Sequence, residues 1–572
     1  ATESITHNAL GDITTSGGNY TGIADSDYSS PASGAYTMVD GATINTVNTV
    51  AGTVGYVLIT AGENISVTGI TATGSTAGNT VALETTTGGI IDAGDTEKDI
   101  IANQAVLVAI NGIGNGNALE TDISNISAFN AGTTGNIELN NTSSAGLTVN
   151  SVVWPWIVSG IINLGGGVTI NEGTPIIVDS PILAKGAISL TANDTALDDG
   201  YIDINNTITS SDSSVTLIAD DDIDMGANVN AKTTLTMIAD ADGSGVGSII
   251  QTAGTATGPT MNLSGVAIGS TGNPLSIDAA TLTAQADNNI NLAEENDITL
   301  NNVTTNNGII NITSGITTGG EMNAVYVATG NDNNITLTAN NDDITITTVN
   351  AGNGNVVITA NNGNIGNAGG TVTANNLTLT AAGNIQLGTS ANTLQATGNG
   401  IIIISEADAL ALASVINSGA GITSIATGGD LTISGDIQSA SAEVVLNSGA
   451  NILQNANIYS GADVGIDAVG TFTMAPDTII QAGNIEIGDN NPIGGTVTLG
   501  LLRTTGNVEI NTSADVVAAA NTNVEIEANK LAINAGGSVG LGNQLDTDVN
   551  VLTANVDNND LVLYEADGLL LN

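Results

Sequence analysis

The sequence predicts an all-β fold, a right-handed parallel β-helix with about 20–21 residues per coil, and three observations predict it: composition, period and turn chemistry. Hydrophobic residues make up 41% of the 572, yet only twelve are Phe, Trp or Tyr. A globular core of this length normally uses large rings to fill irregular volume. A core of Ala, Val, Ile and Leu instead implies a thin interior of constant width, repeated many times. The polar remainder, mostly Asn, Thr, Gly, Asp and Ser, suits turns and strand surfaces.

The period follows from short words that recur in the middle of the chain. Ile335-Thr336-Leu337, Val356-Val357-Ile358 and Leu377-Thr378-Leu379 start at steps of 21, and Ile344, Ile365 and Ile385 at steps of 21 and 20. Two interleaved ladders with one period mean two strands per coil and a more variable third side. Alternation of apolar and polar residues turns the aliphatics inward and the Thr outward. Between the words stand Ala-Asn-Asn, Ala-Gly-Asn and Gly-Asp, which are corner chemistries. Parallel strands returning through a crossover favour the right-handed sense. About 25 coils, stacked at roughly 4.8 Å, would form a rod on the order of 120 Å long. A β-sandwich array would need hairpins and a much longer repeat.

Three segments differ in texture. Residues 1–60 hold Tyr20, Tyr28, Tyr36 and Tyr56 with His7 and Pro31, which reads as an N-terminal cap or a docking segment that closes an open edge. Residues 61–180 read as irregular early coils with an insertion at Trp154-Pro155-Trp156, and 181–572 as regular coils. Leu561-Val562-Leu563 and Leu569-Leu570-Leu571 carry the strand vocabulary to the last residues, an edge that invites pairing. The start at Ala1 is compatible with removal of a leader.

Charge excludes several partners. There are 56 Asp and Glu against 5 Lys and Arg, a net charge of −51. Such a surface cannot neutralise phosphates, so no nucleic acid is expected, and attraction to anionic lipid fails likewise. No apolar run reaches the length of a membrane span, so no membrane insertion is expected. Without Cys there is no disulfide and no thiolate metal site.

Two phrases, Asn376-Leu-Thr-Leu-Thr-Ala-Ala-Gly-Asn-Ile-Gln-Leu387 and Gly428-Gly-Asp-Leu-Thr-Ile-Ser-Gly-Asp-Ile437, resemble the repeats of filamentous-haemagglutinin-like large exoproteins. The resemblance spans roughly residues 180–560 and implies a bacterial surface or secreted β-helix, commonly an adhesin. Asn-Pro motifs, which that family carries early in its secretion domain, occur here only late, at Asn273-Pro274 and Asn491-Pro492.

No enzyme is expected. The five basic residues, Lys98, Lys185, Lys232, Arg503 and Lys530, do not cluster, and His7 is the sole histidine; no catalytic residue is assigned and no cofactor is required. The metal expectation rests on Asp220, Asp221, Asp222, Asp240 and Asp242. These follow the matched words Leu217-Ile-Ala and Met237-Ile-Ala, so one coil of offset stacks them at one corner, where Ca2+ would relieve their repulsion. Asp342-Asp343 occupies the same corner later. Contact expectations fall on Trp154, Trp156, Tyr20, Tyr28, Tyr36, Leu569, Leu570 and Leu571. The resulting expectation is a secreted or cell-surface structural solenoid, a subunit of a fibre, sheath or layer. Its partners are copies of itself, stacked head-to-tail or laterally, together with divalent cations. An adhesin stalk is the alternative, and a polysaccharide-active enzyme a weaker one.

Overall fold

The protein is described by a computed structural model, which covers residues 3–25, 33–47, 55–73, 80–94, 97–193, 199–519, 524–557, 559–566 and 568–571. Among these residues there is no helix, hence none long and apolar enough to cross a membrane. The chain winds as a β-solenoid of about 24 turns, parallel strands lying about 21 residues apart. It divides into two compact units, Ala1–Ala293 and Glu294–Asn572. The divisions read from sequence texture at 60 and 180 do not coincide with this one. Already in the first coil, Ile5–His7, Ile13–Thr14 and Tyr20–Ile23 pair in parallel with Tyr36–Met38, Ile44–Asn45 and Val57–Ala61.

In the first unit a representative coil has three strands, Val215–Ala219, Ile223–Met225 and Val229–Ala231. The side expected to be variable is therefore also a strand. The next coil begins at Thr234–Ile238, with Val215 beside Leu235 and Leu217 beside Met237. Val215, Leu217, Ala219, Ile223, Met225 and Val229 are fully or almost fully buried. Each large aliphatic so placed contributes roughly 1.5–3 kcal/mol of burial. A one-residue slip would turn the whole inward set to solvent, so the alternation fixes the register.

The second unit contains the words that gave the period. Ile335 lies beside Val356, and Val356 beside Leu377. The spacing then contracts to 17, with Leu377 beside Leu394 and Ile385 beside Ile402. There the strands run almost unbroken through the corners, as Ile365–Ala381 and Ile385–Gly398.

The corners are held by a device the aliphatic words do not reveal. The residue just before many strands is Asp or Asn, and its side-chain oxygen accepts the backbone N–H of the equivalent residue one coil later. Asp343 Oδ1 accepts from Asn364 N–H at 2.7 Å, Asn364 Oδ1 from Asn384 N–H at 2.7 Å, and Asn384 Oδ1 from Ile401 N–H at 2.8 Å. Asp430, Asn451 and Thr471 form a second such column, and Asp463, Asn484 and Asn507 a third. Meanwhile the carbonyls of Asn364 and Asn384 accept the first strand N–H of the preceding coil, from Ile344 and Ile365. These corner amides and carbonyls thus have partners, which burial requires.

Asp343→Ala should cost about 1–3 kcal/mol, the usual range for losing an acceptor that is charged. Denaturant titration should show this loss, hydrogen exchange should quicken at the Asn364 amide, and Asp343→Asn should keep most of the stability. Unchanged exchange at Asn364 in the Ala variant would contradict the bracket.

Candidate functional site

The backbone sets the equivalent corners of the predicted aspartate cluster one above the other, with Ile218 beside Ile238. Four of the five carboxylates are nevertheless spent on nearby donors. Asp221 Oδ2 accepts from Gly200 N–H at 2.8 Å and Asp222 Oδ1 from Ser248 N–H at 2.7 Å. Asp240, in a left-handed conformation, accepts from Gly245 N–H at 2.8 Å, and Asp242 from Ser244 N–H at 3.0 Å. Asp220, Asp221, Asp222, Asp240 and Asp242 supply no group of three converging ligand atoms among the described residues; Asp221 and Asp222 turn to N–H groups of the adjacent coils, and Asp240 and Asp242 to N–H groups of their own loop. The unrelieved repulsion lies beside them. Asp203 and Asp224 are register partners on the outward side of their strands. Burial, then Asp222 and Asp203, push the Asp224 carboxyl up to about 6.

Among the described residues, one group of three carboxylates brings its oxygens within 4.8 Å of one another: Asp92, Asp99 and Glu120. Asp99 and Glu120 precede register partners Ile100 and Thr121, so they stack, and Glu120 N–H donates to Asp99 Oδ2 at 3.0 Å. Asp92 ends the strand Ile90–Asp92, accepts from Gly94 N–H at 2.8 Å and receives the Asn117 amide. Asn140 donates to Glu120 Oε1 at 3.3 Å, while Glu120 Oε2 is buried without a hydrogen-bond partner. Three hard oxygens at this spacing match the ligand preference of calcium or magnesium.

The loop that delivers Asn117 recurs. Gly114-Asn115-Gly116-Asn117-Ala118-Leu119, Gly269-Ser-Thr-Gly-Asn-Pro-Leu275 and Gly540-Leu-Gly-Asn-Gln-Leu545 each begin on a glycine with positive φ, at 61°, 61° and 70°. A Cβ at Gly114 or Gly269 would also meet a backbone oxygen of the next coil at 2.4 or 2.3 Å, so glycine is required twice over. Asn117, Asn273 and Asn543 all reach back one coil, to Asp92, Gln251 and Ala518. The corners under the three loops therefore carry Asp92, Asp99 and Glu120, then Gln251, Thr255 and Ser276, then Ala518, Glu525 and Asp546. Only the first has three acids. Sequence reading missed this motif, because Gly followed within a few residues by Asn and then Leu two positions on also occurs at Gly388–Leu394 and Gly449–Leu453, where the chain forms no such loop.

The contact residues divide. Trp154 and Trp156 sit on an antiparallel hairpin, Val152 paired with Val158, whose Trp154-Pro155 bond is cis. Its base covers an apolar outward column, with Val152, Val158 and Trp156 packing on Leu58, Ala82 and Val106. The Trp154 ring lies 4.3 Å from that of Tyr56. Val153, Trp154 and Ile157 remain exposed, by 70%, 37% and 81%. Tyr36, by contrast, is an interior residue and not a contact: it is fully buried, and its hydroxyl bonds His7 Nε2 at 2.9 Å and Tyr20 Oη at 2.6 Å. The inward alternation of Tyr36–Met38 puts its ring inside the coil. Tyr28 and Pro31 lie outside the described residues. Leu569, Leu570 and Leu571 are exposed.

Comparisons with known protein families, with curated proteins and with solved structures give no match. The resemblance to filamentous-haemagglutinin-like exoproteins is thus one of repeat style, and the solenoid is the part of it that the structure supports.

Asp224→Asn tests the electrostatic account. An acid whose folded value is raised destabilises the fold above that value, and the penalty vanishes below the unfolded value near 4. The variant should therefore be more stable than wild type at pH 7.5, by up to about 1 kcal/mol after solvent screening. The two should converge by pH 4. A difference independent of pH, read by denaturant titration, would contradict the assignment.

Proposed function

We propose that the protein is an extracellular structural solenoid, a subunit of a surface fibre, sheath or layer formed by self-association. The observation that supports this most is the coil-on-coil bracketing of successive corners. Asp and Asn side chains at these corners are spent on holding one coil to the next. A scaffold of this kind acts through length and stiffness, which a repeat lattice supplies as a sum of nearest-neighbour contacts. The extracellular setting is supported by the likeness of repeat style to secreted exoproteins. Divalent cations enter this reading as counter-ions. With a net charge of −51, copies repel within a Debye length of about 8 Å unless ions are plentiful, and the Asp92–Asp99–Glu120 corner offers calcium a three-oxygen seat.

The adhesin reading draws on a separate observation, the hairpin that presents Val153, Trp154 and Ile157 to solvent. Aromatic and aliphatic groups raised on an insertion suit capture of a glycan or protein.

Electron microscopy of the full chain, with and without millimolar calcium, separates the two. Fibres or sheets that grow with calcium or salt are expected. Isolated particles under all conditions, combined with glycan or cell-surface binding lost in Trp154→Ala, would overturn the structural reading in favour of the adhesin.

A further inference from the structure

We infer that two copies of this chain meet laterally, face to face and antiparallel, through one uncharged sheet face of the Glu294–Asn572 unit. The inference rests on the self-association reading above and adds the surface that carries it. One outward column of this unit runs in register from Thr313 through Thr338, Thr359, Thr380 and Thr397 to Gln481. Each of its nine positions is uncharged, and the next, Arg503, is bonded to Glu527 at 2.7 Å. All nine are at least partly exposed.

Charge decides the occupant. A chain at −51 repels its own copies over most of its surface, and the longest stretch without any ionisable residue, Ile344 to Ser405, lies in the coils at the middle of this column. Those coils carry no charge on any side. In neighbouring coils the acids Asp332, Asp343, Asp430 and Asp436 stand at the corners, accepting hydrogen bonds from Asn353, Asn364, Asn451 and Asn457. A second copy that docks on the column therefore meets Thr hydroxyls at one end and Ile416, Gln438, Tyr459 and Gln481 at the other, with Asp436 at the edge already accepting from Asn457 N–H. A basic partner would have nothing to pair with on this face and would be drawn elsewhere on the molecule.

The dimensions are adequate. Eight steps at roughly 4.8 Å make a strip about 38 Å long, and a strand width of about 14 Å gives near 500 Å² per partner. The total, about 1,000 Å², is the lower limit for a specific interface. Beyond Thr397 the column passes Ile416 and Tyr459, which border a shallow groove of about 440 Å³. These supply the aliphatic and aromatic anchors that concentrate binding energy. Face-to-face sheets pack about 10 Å apart. An isologous two-fold contact then places the centre of the column, Thr397, opposite its own copy, because residue i meets j and j meets i.

The test uses the full chain in two forms. Sedimentation at several protein concentrations reads the association constant of wild type, Thr397→Asp and, as a control on an outward strand position of the other unit, Thr216→Asp. Thermal melting verifies that each is folded. Thr397→Asp should weaken association at least tenfold by setting two carboxylates against each other, and the control should not. Since the chain has no native Cys, Thr397→Cys should also be joined to its own copy by a short bismaleimide that spans the roughly 10 Å between packed sheets, and Thr216→Cys should not. Association that persists unchanged in Thr397→Asp would overturn this interface while leaving self-association intact. Wild type that stays monomeric at high salt and calcium would overturn the self-association reading itself.

Discussion

The structure depends on satisfying the backbone at the corners of each coil. Along a strand, N–H and C=O groups pair with the coils above and below, and the ladder needs nothing more. At a corner the chain turns, and the N–H preceding the next strand loses its carbonyl partner. An Asp or Asn in that place repairs the loss with its own side chain, reaching from one coil to the same position in the next. The aliphatic interior then supplies the cohesion. The alternation of the inward Ile, Val and Leu fixes the strand register, and the brackets add a polar tie at each corner.

This constraint changes the meaning of the acidic composition. Many carboxylates that look like a field awaiting cations are structural acceptors: Asp222, Asp343, Asp430, Asp436, Asp463 and Asp515 each hold a backbone N–H of the following coil. Asn does the same work without charge in the coils between Ile344 and Ser405. The alternation of Asp and Asn at one structural position lets the protein vary its surface charge coil by coil while the fold stays constant. Strongly charged coils and uncharged coils are thus written on a single scaffold.

Much of the fold was legible because a solenoid repeats its signal. Ile335, Val356 and Leu377 announced the register, and their alternation with Thr announced which face is inside. The third strand of each coil was harder to read, since words as short as Ile223–Met225 and Val229–Ala231 have too few residues for periodicity. The corner brackets were hidden by attention to the aliphatics, although Asn364-Ile365, Asn384-Ile385, Asn451-Ile452 and Asn484-Ile485 show the pairing plainly. The acidic sites were legible in composition and not in geometry. Asp220, Asp221, Asp222, Asp240 and Asp242 form dense sequence clusters, yet backbone donors of the adjacent coils hold Asp221 and Asp222, and donors of their own loop hold Asp240 and Asp242. Asp92, Asp99 and Glu120 are scattered in sequence, and only the stacking of successive coils under the Gly114 loop unites them.

The most direct test of parallel, in-register stacking is a cysteine cross-link in a chain that has no cysteine of its own. Thr216 and Thr236 are register partners in adjacent coils, whereas Ser189 and Thr236 are two coils apart. Adjacent positions fall within the Cα separation a disulfide allows, and positions two coils apart, at about 9.6 Å, do not. Thr216→Cys with Thr236→Cys should close an intramolecular disulfide under mild oxidation, and Ser189→Cys with Thr236→Cys should remain reduced. Equal closure of both pairs, or closure of the second alone, would contradict the solenoid.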